Sequence, residues 1–315
     1  MNALFTRGGT LTAAGFGDMM DTVEYHRLKE KVYMASYQLN AFADEASNAL
    51  SGQIAAMARN GVHGLEIRNV DGKNVTELTV DEARAIRERL EAAGLCVWSV
   101  GSPLGKIGIK DDFEAHMDLL HHTLALAEAL GTKRIRMFSF YMPEGDDPAR
   151  WREQVMLRLA RMAEAAAQRG ILLCHENEKG IYGDIAERCR DIHETVPQLR
   201  GVFDPANFVQ CGQVTYPAWQ MLRGYIDYMH VKDALWDGTV VPSGEGDGDV
   251  ARILSEYLAG GGTALTVEPH LKVFEGLSTL EHTGDARGVG GKYVYPDNDT
   301  AFDAACDALR ALVGR

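Results

Sequence analysis

The chain has 315 residues, 46% of them apolar and 24% charged, enough to bury the core of one large α/β barrel or of two modest domains. Thirty-two Lys and Arg against forty-five Asp and Glu leave a formal charge of −13, which argues against nucleic-acid and anionic-membrane partners. No run approaches the ~18 consecutive apolar residues of a membrane span, and five scattered cysteines without CxxC spacing point to reduced thiols in a cytoplasmic protein.

Residues 1–32 hold Gly8-Gly9, Gly15 and Gly17 and the mixed-charge run Glu24 to Lys31, without the basic-then-apolar order of a secretory signal. We read them as an N-terminal extension, which could serve contacts in a homo-oligomer. From residue 33 one pattern recurs: a short β-rich run, a turn, then a longer amphipathic helix. The strands are expected at Tyr33 to Leu39, Gly64 to Ile67, Cys96 to Val100, Arg134 to Phe138, Ile171 to His175, Gly201 to Asp204, Ile226 to Val231 and Ala264 to Glu268. Helical periodicity covers Leu50 to Arg59, Val80 to Ala93, Phe113 to Leu130, Ala149 to Arg169, Ile185 to Thr195, Tyr216 to Leu222, Val250 to Leu258 and Phe302 to Leu312. Glycines 61, 94, 131 and 170 each fall just past a helix, where a left-handed cap belongs. Eight alternations over residues 33–315 predict a single (β/α)₈ TIM barrel. A doubly wound sheet is disfavoured, because no GxGxxG or P-loop follows the first strand.

In such a barrel the chemistry stands at the C-terminal strand ends. There the last four strands supply, one each, Glu176, Asp204, His230 and Glu268. Adjacent strands lie ~4.8 Å apart, so four such side chains can converge on one ion. Three carboxylates and one imidazole form a hard donor set, suited to Mn²⁺ or Mg²⁺ better than to a structural Zn²⁺, although Zn²⁺ or another divalent cation could be held. Taken singly, each residue could be a cap, an ion-pair partner or a hydrogen-bonded core group. Taken together, four buried acids and bases without a cation would cost several kcal/mol. Glu178, two residues beyond Glu176 on an extended strand, would face the same side and competes with it as the fifth strand's ligand.

The ordered motifs His175-Glu176-Asn177-Glu178, Phe203-Asp204-Pro205-Ala206-Asn207, His230-Val231-Lys232-Asp233 and Glu268-Pro269-His270 resemble those of the sugar phosphate isomerase/epimerase family of xylose-isomerase-like barrels. The resemblance runs from about Tyr33 to the C-terminus. It implies that Glu176, Asp204, His230 and Glu268 bind one divalent cation, commonly manganese. A sugar with adjacent hydroxyl and carbonyl oxygens would chelate that ion, which polarises the carbonyl and stabilises the enediolate. Glu176 and Glu268 would then be the acid/base pair of an isomerase or epimerase acting on a small carbohydrate. The alternative is a lyase or dehydratase in which the same enolate expels a β-substituent. Relatives that epimerise free ketoses tend to carry His and Arg where this chain has Asn207 and Trp236, which leaves the subclass open.

Glu66, Arg136, Asn207, Lys232, Trp236 and His270 are candidate substrate contacts, and Lys232 and Asp233 could instead pair with each other. The Pro242 to Asp249 stretch is rich in glycine, but its three acids favour a tight turn over a phosphate site, so the substrate is expected to be unphosphorylated; Asp249 could cap the next helix. Residues 271–300 form too long a connection for a routine β–α unit and suggest a lid, specificity loop or subunit contact.

Overall fold

The computed structural model describes residues 37–275, 277, 288–289 and 293–314. Eight parallel strands close into a barrel: β1 (Gln38–Ala41), β2 (Gly64–Ile67), β3 (Cys96–Gly101), β4 (Arg134–Met137), β5 (Leu172–Glu176), β6 (Arg200–Phe203), β7 (Ile226–Val231) and β8 (Ala264–Val267). Closure comes from β1, which pairs with β8 in the register Gln38↔Ala264 to Ala41↔Val267 and with β2 on its other edge. The helices that cover the sheet are α1 (Leu50–Arg59), α2 (Val80–Ala92), α3 (Phe113–Leu130), α4 (Arg152–Gln168), α5 (Ala186–Thr195), α6 (Pro205–Gln210), α7 (Thr215–Leu222), α8 (Val250–Ala259) and α9 (Asn298–Val313). The expected TIM barrel is therefore the observed fold, and no described helix is long and apolar enough to cross a membrane.

Strand alternation separates two cores. Outward-pointing Ile135, Met137, Leu173, Phe203, Met229, Val231, Leu265 and Val267 pack against the helices in one large apolar cluster. Cys174, Val202, Tyr228 and Ala264 instead form a small cluster inside the barrel. The same alternation turns His175 outward, onto the Ser139 hydroxyl at 2.9 Å, and Glu176 inward.

The differences from expectation have local causes. β1 lies at Gln38–Ala41 rather than Tyr33 to Leu39, fixed by its pairing with β8, and residues 33–36 are outside the described chain. The helix expected from Ala149 opens as a 3₁₀ turn at Pro148–Trp151, capped by Asp147, and becomes α4 only at Arg152. The last helix starts four residues early because Asp297 accepts from the Thr300 amide at 2.7 Å. Asp249 does not cap α8 through its side chain; it takes a left-handed turn, φ 50°. The expected N-terminal extension, residues 1–32, lies outside the described residues, as do 278–287 and 290–292 of the long connection after β8.

Candidate metal centre

Glu176, Asp204, His230 and Glu268 stand at the mouth of four adjacent staves, β5 to β8, and all are buried. One ligand atom from each lies within 4.8 Å of the others. His230 Nδ1 is 3.0 Å from Glu176 Oε1 and 3.6 Å from Glu268 Oε2. The opposite ring nitrogen, Nε2, faces Glu66 Oε2 at 3.3 Å, and Glu66 Oε1 accepts from the Tyr228 hydroxyl at 2.7 Å. Glu66 thus sits fully buried beneath the imidazole, in the place of an outer carboxylate that fixes which nitrogen a metal would meet.

Asp204 serves two purposes at once. It is the N-cap of α6, a helix that periodicity missed although Pro205 stands at its first position; Oδ1 accepts the Asn207 amide at 2.9 Å. Oδ2 is buried without a hydrogen bond, although the Lys232 ammonium lies 2.9 Å away. Burial, together with the charges of Glu268 and Glu176, pushes the Asp204 carboxyl up to about 7 against the pull of Lys232. Burial pulls His230 down, but Glu176 and Glu66 outweigh it and raise the imidazole to about 10. Three converging acids and an oriented imidazole, with an Asp204 oxygen whose one partner is the Lys232 ammonium, fit a hard divalent cation.

That fit has a measurable consequence. A cation must displace the His230 proton below about pH 10 and the Asp204 proton below about 7. Affinity for Mn²⁺ is therefore expected to rise roughly tenfold per pH unit just above neutrality, and more steeply below it. Titration calorimetry at several pH values checks this; a flat dependence would remove these groups as ligands.

The other predicted residues divide. Arg136 Nε lies 3.1 Å from Glu176 Oε2, and its Nη1 donates to the Ser102 carbonyl at 3.0 Å. Asn207 Nδ2 reaches Glu176 Oε1 at 3.3 Å and the Asn177 carbonyl at 2.9 Å. Lys232 and Asp233 do not pair with each other. The Lys232 ammonium bridges Asp204 and Glu268, at 2.9 Å from each. Asp233 instead accepts the amides of Gly244, Gly246 and Gly248. A Cβ at Gly246 would lie 2.3 Å from Asp233 Oδ1, so that loop is a turn wrapped on a carboxylate. Glu178 points away to Lys106 at 3.3 Å rather than joining the quartet. Trp236 is half exposed and meets none of the four; its backbone amide donates to Asp247. His270 approaches Glu268 only to 3.8 Å and sits against Glu45 at 2.9 Å.

Two groups escaped the reading of the sequence, Asp44 and Glu45, and the Arg68 guanidinium joins them. Arg68 contacts Asp44 at 2.9 Å, Glu45 at 3.1 Å and Glu268 at 3.3 Å, all buried. Asp44 and Glu45 form the end of the β1 unit, and a strand placed to stop at Leu39 hides them. The described ends of the long connection close on this cluster: Phe274 packs under Arg68, and Asn298 donates to the Glu45 carbonyl.

A family model for xylose isomerase-like TIM barrels matches residues 54–276. No curated protein matches the sequence. Among solved structures, L-ribulose 3-epimerase is similar at 20% identity and TM-score 0.66, over 89% of this chain and 95% of that one. The probable 3-DHS dehydratase AsbF of Bacillus anthracis superposes with TM-score 0.66 at 16% identity, covering 87% of this chain and 98% of its own. The IOLI protein with a bound zinc atom reaches TM-score 0.67 at 15% identity, over 88% and 98% of the two chains. Such identities establish a shared fold. The chain belongs to the xylose isomerase-like TIM barrel family.

Proposed function

We propose that this protein is a divalent-metal-dependent isomerase or epimerase of a small carbohydrate, with Glu176 and Glu268 moving the proton. The observation that carries the reading is the quartet: three carboxylates and an imidazole whose ligand atoms fall within 4.8 Å at the barrel mouth. Glu176, Asp204, His230 and Glu268 would hold the cation. When bound, it would polarise a substrate carbonyl and offset the charge that develops on its oxygen.

The chain's own groups supply the rest. Glu176 and Glu268 occupy the outer two of the four staves, so they flank whatever the inner pair holds. One takes the proton from the carbon beside the carbonyl. The other returns a proton, to the opposite face for epimerisation or to the neighbouring carbon for isomerisation. Burial alone would raise the Glu268 carboxyl, but Lys232, His270, His230 and Arg68 hold it well below the ordinary carboxylate range, so it is charged at neutral pH. Arg136 and Asn207 position Glu176, while Arg68 and Lys232 position Glu268. The epimerase and the dehydratase among the structural neighbours support a fold suited to enolate chemistry, and a manganese ion suits the hard donor set.

The test is incubation with a panel of sugars and oxidised sugars in D₂O with Mn²⁺. Deuterium should enter the carbon next to the carbonyl of one member, with an isomeric sugar as product. An unsaturated product would reassign the enzyme as a dehydratase, and no incorporation across the panel would sink the proton-transfer reading.

A further inference from the structure

We propose that the Lys232 ammonium competes with the cation for two of the quartet's oxygens, so that this side chain sets how tightly the site holds its metal. The proposal deepens the reading above and rests on it for the quartet being the metal site. Lysine is rarely buried without a partner, and Lys232 is 6% exposed. It follows Val231, the last residue of β7, and its neighbour Asp233 is engaged by three glycine amides. Its ammonium lies 2.9 Å from Asp204 Oδ2 and 2.9 Å from Glu268 Oε2.

Those two oxygens are the ones a cation would need. Asp204 Oδ1 is taken by the Asn207 amide at 2.9 Å, which leaves Oδ2 for the metal. Glu268 Oε2 is the oxygen that faces His230 Nδ1, at 3.6 Å. The two arginines are placed differently. Arg136 Nε approaches Glu176 at Oε2, while Oε1 faces His230 Nδ1 at 3.0 Å. Arg68 Nη1 meets Glu268 at Oε1, 3.3 Å away. Each guanidinium thus sits on the oxygen opposite the one that faces the imidazole, and can stay when a metal enters. The ammonium sits on the metal's own oxygens and has to yield.

A divalent ion and an ammonium on the same two oxygens repel strongly in a buried site. The flexible four-carbon stem of lysine lets the ammonium withdraw, but only by giving up its contacts with two buried acids. The four donors therefore bind a cation more weakly than their number and charge alone would give. The same ammonium keeps Asp204 and Glu268 compensated when no cation is bound.

The test is calorimetric titration of the full-length protein and its variants with Mn²⁺, after EDTA treatment and dialysis, at one mildly alkaline pH where protons compete least. Lys232→Met and Lys232→Gln should each bind the ion at least roughly tenfold tighter than the wild type. Lys232→Arg, which keeps the charge, should bind no tighter. In EDTA the neutral variants should unfold at lower urea than the wild type, and they should gain more stability from added Mn²⁺. A merely structural lysine would lose stability and affinity together. Affinity that is unchanged or weaker in the neutral variants overturns the competition, and either of them is decisive if the other does not fold. Equal tightening in Lys232→Arg also overturns it, by assigning the effect to the stem instead of the charge. A wild type that binds no Mn²⁺ overturns the metal site and this proposal with it, whereas a failed deuterium exchange leaves these affinities untouched.

Discussion

Glu176→Gln and Glu268→Gln should each lower solvent-deuterium incorporation by about 10²–10⁴-fold, the usual worth of a positioned general acid or base. An amide is nearly isosteric with the carboxylate but cannot take a proton, so the loss should persist at saturating Mn²⁺. Asp204→Asn provides the contrast. Its Oδ1 capping bond to Asn207 can be kept by the amide oxygen, while the oxygen that faces Lys232 gives way to an amide nitrogen, a poor ligand. That variant should lose metal affinity first and recover much of its exchange when Mn²⁺ is raised. Exchange retained in either Gln variant at saturating metal would remove that glutamate from proton transfer. Equal rescue of all three variants would make them ligands only.

How the site could be read in advance follows from which parts of it are local. Asp204 and Glu268 each follow, and His230 nearly ends, a strand whose apolar pattern fixes its C-terminal end, so strand order alone brings them together. Glu176 against Glu178 is not decided by spacing, since both share one face of an extended run. The structure separates them by their partners, because Lys106 draws Glu178 aside while His230 and Asn207 hold Glu176. The Gly244 to Gly248 turn shows the opposite case. Its composition suggested a tight turn, but the reason for it, Asp233 collecting three amides, joins residues eleven to fifteen positions apart. Asp44 and Glu45 depended on the end of β1, and that end is set by pairing with β8, over two hundred residues away. Long-range pairing hides such groups from any local pattern.

The cost of concealing those acids leads to the second large effect. Arg68→Met should destabilise the metal-free protein by about 3–5 kcal/mol, because removing one partner of a buried ionic cluster leaves the others uncompensated. Arg68 is 2% exposed and touches Asp44, Glu45 and Glu268, while its guanidinium lies 4.4 Å from the Phe42 ring. Methionine would fill much of the volume, so the loss measured by urea unfolding would report charge rather than a cavity. Part of the deficit, the share owed to Asp44, should return in the double variant Asp44→Asn/Arg68→Met, since an amide there has no charge to strand and Asn69 can still donate to its carbonyl oxygen. The same substitution has a predictable sign in pH. Arg68 is one of the groups that lower Glu268 and Glu45, so without it both carboxyls shift upward. Stability that depends on their low folded pKa is present above the unfolded value and lost as pH falls through the folded one. With less depression there is less to lose, so the gap between wild type and variant should hold its full size down to about pH 4.5, the ordinary carboxylate value, and narrow only as pH falls below it. A gap that is constant with pH would assign the role of Arg68 to packing on Phe42 and Phe274 instead of to the acids.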